Sequence, residues 1–574
     1  MNKVAYSHYS LINYRSDIDG LRAIAVIAVV LHHAFPKVIK GGFVGVDIFF
    51  VISGYLIGSI LFKNFDAKNF CIYTFYVRRI KRIFPDLILV LVFCLVFGWF
   101  SLTDAEYIRL SVHAKASTLF YTNFILAKES GYFDVSAHTK PLMHLWSLAV
   151  EEQFYIFCPL LLYFVTKKGF NIISICVSII LLSFVLSIQT LHKHPIQAFY
   201  YPLCRVWELA SGVLLAYLTY TGVKIPQKLQ VTINHWLNLF IYKHDSVFSQ
   251  KTLIEVIALV GLIINLSTIL CLKKTSNFPG WYAVLPVAGT LLIIAAGETT
   301  WVNKNILSNK VCLTIGLISY PLYLWHWSLL SFTWILEGQH PGTQIITGVL
   351  LISFILAWIT YKFIEKPIRE AKSSKFISFI LVMLVILVGF GAYKIVINKG
   401  YSARKANLIN NISPLPQNNE DFLNLLVSCS SPFNKSLEKN LSDQSCIANT
   451  DKPQFLVLGD SHALSFVHSA AINQDLKMAM LYVSAQPPYI NYVSYSRFVD
   501  KLDDRISSLK LFNSHLNTML TTYNSIEYVI LISRGPVYFA NGGFGIETED
   551  ASLSNYVLES INNSQKSVVV RQVF

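Results

Sequence analysis

Charge is scarce in this chain of 574 residues. Asp, Glu, Lys and Arg together make up 14% of it and hydrophobic residues 54%, whereas soluble domains carry about 25% charged residues. Most of such a chain is built for lipid. Metal signatures are missing too: there is no CxxC pair and no His/Cys cluster at zinc spacing, so a metal site is not expected. The net charge of +14 comes without a continuous basic tract. Its Lys and Arg residues fall in clusters between apolar runs, which argues against a nucleic-acid partner and for the positive-inside bias of membrane loops. A cleavable signal peptide is not evident, because residues 1–20 are polar and the first apolar run leads into others. No internal repeat or long low-complexity segment occurs.

What is there is a series of apolar segments. A bilayer core about 30 Å thick needs roughly 20 apolar residues per helix. Eleven segments qualify, near 21–38, 43–62, 84–101, 148–166, 171–190, 199–220, 252–271, 281–298, 311–334, 343–364 and 375–397. The loop at 63–83 holds Lys63, Lys68, Arg78, Arg79, Lys81 and Arg82, which places it and the N-terminus in the cytoplasm. The loops at 101–147 and 335–342 are poor in basic residues and fall on the other side. An odd number of spans then puts everything after residue 397 outside the cytoplasm.

That exterior part changes character. Residues 399–450 are rich in Asn, Ser, Lys and Pro and read as a linker. From 455 strands and helices alternate: FLVLG, a helix after Ser461, MAMLYVS, a helix near 497–522, YVILIS, a helix near 551–562, then SVVVRQVF. This pattern predicts a small α/β domain with a parallel sheet. Most of the nine cysteines lie in apolar segments, but Cys429 and Cys446 stand in the polar stretch. In an oxidising compartment they would form a disulfide.

Ionisable residues inside apolar spans are costly and serve as functional hypotheses. In DIDGLRAIAVIAVVLHHAFP, Arg22 and His33 are eleven residues apart, within about 20° of one helix face and roughly 17 Å apart along it. His33 is either a general base or a packing histidine bonded between helices. In KPLMHLWSLAVEEQFY, His144, Glu151 and Tyr155 share a face and Glu152 is turned away. The two carboxylates either position an acceptor's hydroxyls or pair with Arg205 and other buried cations. Arg78, Arg79 and Arg82 either anchor the membrane boundary or bind a phosphorylated ligand. Arg205 and Glu208, at i and i+3, form an intramembrane ion pair. Ser319, Tyr323 and His326, beside Pro321, are a polar lining or a kink.

Five stretches occur in order: IDGLRAIAV with its HH, GGFVGVDIFFVISGYLI, RRIKRIFP, HLWSLAVEEQFY and SYPLYLWHW. Together they closely resemble the membrane acyltransferase-3 family over roughly residues 14–370, and the exterior domain resembles its subgroup fused to an SGNH hydrolase-like domain, as in O-antigen acetylases. The resemblance implies a polytopic α-helical membrane protein, with about ten acyltransferase helices over 14–370 and a linking helix over 371–398. A periplasmic linker over 399–450 and an SGNH-like α/β domain over 451–574 would follow. It implies a bacterial inner-membrane O-acyltransferase, its N-terminus cytoplasmic, that moves an acetyl group from cytoplasmic acetyl-CoA to a hydroxyl of an extracytoplasmic glycan. That glycan would be lipopolysaccharide O-antigen; peptidoglycan or another exopolysaccharide is the alternative, as is a non-catalytic transporter of acyl or lipid-linked cargo. Besides donor, glycan and membrane lipid, no partner or bound cofactor is implied. By position, Arg22 and His33 match the family's Arg–ten residues–His motif, which implies that His33 is the essential residue, and Arg79 and Arg82 match its Arg-x-x-Arg element.

In FLVLGDSHALSF, Ser461 matches the nucleophile of SGNH domains, with Asp460 before it. A serine needs a base and an orienting group, which in the family come from a late Asp-x-x-His motif. After His462 this chain has only His468 and His515, neither preceded by Asp at that spacing. Gln486 and Arg534 stand where the family often has Cys and Asn. The domain is therefore expected to be incomplete at its C-terminal end and to lack its base.

Overall fold

The computed structural model describes residues 14–66, 71–129, 137–222, 250–273, 278–337, 341–371, 374–401 and 404, then short stretches between 427 and 560. Contacts divide the chain into two compact units, Met1–Asn410 and Asn411–Phe574. Each is described by itself.

The first unit is helical. Its helices are α1 (Ser16–Ala34), α2 (Gly45–Asp66), α3 (Ile72–Ser101), α4 (Asp104–Thr118), α5 (Thr122–Glu129), α6 (Leu145–Lys168), α7 (Ile172–Lys193) and α8 (Pro195–Tyr200). There follow α9 (Pro202–Tyr220), α10 (Gln250–Cys271), α11 (Val284–Ala296), α12 (Lys310–Leu317), α13 (Ser319–Glu337), α14 (Thr343–Thr360), α15 (Lys366–Glu370) and α16 (Ser374–Ile397). Every predicted span is helical, and among the described residues seven helices are long and apolar enough to cross a membrane. Of the others, α1, α9 and α13 carry polar or charged side chains that the bundle buries, among them Asp17, Arg205, Glu208 and His326. The chain is a multi-pass membrane protein.

Two departures have local causes. The span predicted at 311–334 is two helices, α12 and α13, because Pro321 in the first turn of α13 has no N–H to continue α12. The segment 101–147, predicted as a loop, contains α4 and α5. A capping box starts α4: Glu106 accepts from Thr103 N at 3.0 Å and from its Oγ1 at 2.8 Å. Beyond α16, Arg404 caps the end of α3, donating to the carbonyls of Gly98, Trp99 and Leu102 at 3.1–3.2 Å. Its guanidinium also pairs with Asp104 at 2.9 Å.

The bundle is tightest where α2 meets α9. A Cβ on Gly54 would run into the Leu209 carbonyl, and one on Gly212 into the Val51 carbonyl. Lipid supplies no hydrophobic drive between helices, so small residues that allow backbone contact take over that role. Near this seam Arg205 pairs with Asp47 at 2.8 Å and with Glu208 at 3.1 Å, all three fully buried. The Arg205–Glu208 pair was expected from sequence; Asp47, 158 residues away, was not. Phe50, Trp146, Phe199 and Phe278 surround the guanidinium at 5.4–5.9 Å, so aromatic faces complete its solvation.

In the second unit β1 (Val427–Ser428), β2 (Gln444–Ala448), β4 (Met478–Val483), β3 (Phe455–Gly459) and β6 (Tyr528–Ile532) form one sheet in that order. Of the four strands expected from sequence, β3, β4 and β6 are parallel with β3 central, but β1 and β2, inside the stretch 399–450 expected to be a linker, add antiparallel pairing and make the sheet mixed. The helix expected near 551–562 is instead strand β7 (Tyr556–Ser560), paired antiparallel with β5 (Tyr492–Ser496). Pairing with a distant alternating strand overrides the local pattern. The helices expected after Ser461 and near 497–522, the terminal SVVVRQVF strand, Asp460, Ser461 and Cys429 lie outside the described residues, as does the side chain of Cys446.

Replacing Arg205 with Ala leaves two buried carboxylates facing each other and should destabilise the bundle by about 3–5 kcal/mol. Thermal unfolding in detergent would read this as a large fall in midpoint, partly restored by adding Asp47→Asn and Glu208→Gln.

Candidate functional site

An internal cavity of about 820 Å³, its open mouth included, lies between α1, α2, α3, α6 and α13. The sequence brings charge to it by helical spacing. Arg79 and Arg82, at i and i+3 on α3, both face it, and Arg22 of α1 joins them. Arg22 is paired with Asp19 at 2.9 Å, and Arg79 lies over the Tyr155 ring at 5.0 Å. From α6 the cavity receives Ser147, Glu151 and Tyr155, which follow one another at i, i+4 and i+8. Glu151 accepts from Ser53 Oγ of α2 at 3.0 Å and from the Tyr155 hydroxyl at 3.4 Å. Ser319, Tyr320 and Tyr323 of α13 close the remaining wall. Three guanidiniums against one lining carboxylate make an anion-receiving chamber.

Several expected site residues are elsewhere. Arg78 is exposed on α3 and does not line the cavity, because one residue along a helix turns the side chain by about 100°. Glu152 is buried outside the lining, its Oε1 without a hydrogen-bond partner among the described residues. Neither glutamate pairs with Arg205, which Asp47 and Glu208 hold. His33 also does not line the cavity.

His33 belongs to a histidine cluster that shares a wall with it. His33 Nδ1 is 3.0 Å from His326 Nε2, with the two ring planes within 5° of parallel and their centres 5.3 Å apart. His326 Nδ1 is 3.0 Å from the Leu322 carbonyl. A carbonyl can only accept, so Nδ1 of His326 carries the proton and a neutral His326 accepts at Nε2. His33 Nδ1 must then be the donor, which leaves its lone pair on Nε2. The relay fixes one tautomer of His33 and one position for its basic atom. Tyr323 joins cluster and cavity. Its ring contacts those of His144 and His326, and its hydroxyl donates to the His144 carbonyl at 2.8 Å and meets Ser147 Oγ at 2.7 Å.

The sequence reading missed Ser53, Ser147 and Tyr320. Ser147 was findable, since it shares a helix face with Glu151 and Tyr155. No group of His, Cys, Asp or Glu suited to a metal occurs among the described residues.

A second charged network links α4, α5 and the segment before α6. Glu129 of α5 accepts from Lys140 Nζ at 2.9 Å and lies 2.8 Å from His113 Nε2. Burial pushes the Glu129 carboxyl upward, but the bonds and charges of His113 and Lys140 outweigh it and bring its pKa down to about 2.

The fold and cavity define a polytopic membrane bundle enclosing a charge-lined chamber. The chain belongs to the acyltransferase family whose domain model matches residues 15–362, and residues 428–574 match the SGNH domain found fused to such domains. It is similar to proteins of Staphylococcus aureus. One from strain MSSA476, named "Putative O-acetyltransferase", is 34% identical over 386 residues, 64% of this chain and 60% of that protein. O-acetyltransferase OatA of strain MRSA252 is 30% identical over 397 residues, 65% and 62% of the two chains. The match therefore spans about 60% of the length of these relatives. No solved structure matches the chain.

Because the Glu129 carboxyl titrates near 2 when folded and near 4.5 when free, its stabilisation is whole above about pH 5 and fades as pH falls toward 2. The difference in unfolding midpoint between the protein and Glu129→Gln should be larger at pH 5 than at pH 3.

Proposed function

We propose that this protein is a membrane O-acyltransferase that uses cytoplasmic acetyl-CoA to acetylate a hydroxyl of an extracytoplasmic glycan. One observation carries the reading: the arginine-lined cavity and the His33–His326 relay share the Tyr323 wall. An anionic donor suits one end and a proton acceptor the other. The names of the relatives point the same way. The basic loops support a topology with the Arg79 and Arg82 end in the cytoplasm and the His33 end outside it.

In this reading Arg22, Arg79 and Arg82 hold the donor's phosphates, and Arg contributes planar, paired donors for them. The thioester extends toward Tyr323. His33 Nε2 takes the proton of the glycan hydroxyl as its oxygen attacks the thioester carbon. The C–O bond forms, the C–S bond breaks, and the imidazolium returns the proton to the departing thiolate. His326 does not touch substrate; it positions His33 by holding its Nδ1 proton. The acceptor put forward is lipopolysaccharide O-antigen, with peptidoglycan as the alternative. Acetyl-ester analysis of separated surface polymers distinguishes them.

His33→Ala should lower acetyl transfer by about 10²–10⁴-fold while the protein remains in the membrane; full activity would refute the mechanism. His326→Ala should lower kcat less and displace its pH profile, an effect that loss of packing alone would not produce. Paired Arg79→Gln and Arg82→Gln replacements should raise the KM for acetyl-CoA by roughly tenfold or more, the scale of losing charge-assisted hydrogen bonds, with acceptor KM unchanged. An unaltered donor KM would leave these arginines as boundary anchors.

A further inference from the structure

Aromatic rings continue outward from His33. Trp327 meets it edge-on, with ring centres 4.5 Å apart. His138 lies over Trp327 at 6.0 Å and 29° and over Trp334 at 4.5 Å and 16°. Trp327 is buried, whereas His138 and Trp334 are half-buried. The rings thus form a ladder from the proposed base toward the surface. Trp327 and Trp334 are two turns apart on α13, about 10 Å along its axis, a span longer than one sugar ring.

The ladder is held in place. Trp327 Nε1 donates to the Lys140 carbonyl at 2.9 Å, and Ser328 Oγ to that of Pro141 at 3.0 Å. Lys140 is fixed in turn by Glu129 at 2.9 Å. The segment bearing His138 is therefore tied to α13 and to α5.

Resting on the reading of His33 as base, we propose that His138 and Trp334, backed by Trp327, form the acceptor subsite, where pyranose units of a glycan stack on their way to His33. A pyranose presents a face of C–H groups with slight positive charge, which suits the negative face of an aromatic ring. Its rim of hydroxyls keeps its hydrogen bonds to water while the face is covered. The ion-paired Glu129 and Lys140 beside the ladder suit such an amphipathic ligand better than an alkyl chain, whose burial favours apolar surroundings. The anionic donor has its own lining, since the arginines occupy the cavity and none of the ladder rings does. Donor and acceptor are recognised by different chemistry on different surfaces.

The test uses the full chain in detergent, with chitotetraose and maltotetraose as probes in titration calorimetry. Saturable binding of at least one probe is expected for the protein and for His33→Ala. Trp334→Ala and His138→Ala should each weaken it about three- to tenfold, and Trp334→Phe should recover most of the loss. In turnover, the same two Ala variants should raise the acceptor KM and leave that for acetyl-CoA unchanged. No saturable binding of either probe, or full binding by Trp334→Ala, overturns the subsite. If sugar binding follows Trp334 while His33→Ala still transfers acetyl groups, the subsite stands and the assignment of the base falls.

Discussion

A charge carried on a membrane helix must find its partner within the bundle. This requirement organises the first unit. Arg205 is enclosed by Asp47, Glu208 and four aromatic rings, and that cluster ties α9 to α2 and backs Phe50, which lines the cavity. Arg22, Arg79 and Arg82 meet the same requirement incompletely. Among the described residues Arg22 pairs with Asp19, and the cavity that Arg22, Arg79 and Arg82 line has room for an anionic ligand. The contrast between a closed cluster and an open one separates scaffold from site better than burial does.

The histidines follow a second rule, that a buried ring must divide its two nitrogens between donor and acceptor. The Leu322 carbonyl sets the tautomer of His326, and His326 sets that of His33. A backbone oxygen of α13 thus determines which nitrogen of α1 is basic. The same helix supplies Tyr320 and Tyr323 to the cavity and Trp327 and Trp334 to the ring ladder. One helix therefore borders the cavity, the histidine relay and the ring ladder in turn.

Hydropathy located each of the seven described helices long and apolar enough to cross a bilayer, because a membrane imposes a length and a composition that any 20-residue window displays. Arg22, Arg79, Arg82 and Glu151 were visible as charges out of place, and the structure brings these four into one cavity. Pairings across long stretches of chain were not visible. Asp47 with Arg205 and His326 with His33 are 158 and 293 residues apart, and neither partner's local pattern names the other. The exclusion of Arg78 was implicit in the 100° helical step, yet a cluster of basic residues reads as a unit until a wall is seen behind it. In the second unit, the pattern around β7 reads as a helix because five residues with a distant partner carry little periodicity of their own.

The glycine contact between α2 and α9 bears on how such a protein could change its ligands. Gly54 adjoins Ser53, whose hydroxyl holds Glu151, and its backbone abuts that of Leu209. Any larger residue there moves a helix, so that wall offers few viable variants. The facing wall on α13 is made of tyrosine side chains, which can be exchanged without shifting a backbone. Divergence among proteins of this architecture should therefore accumulate on the tyrosine side, with the glycine side acting as the fixed reference from which ligand shape is measured.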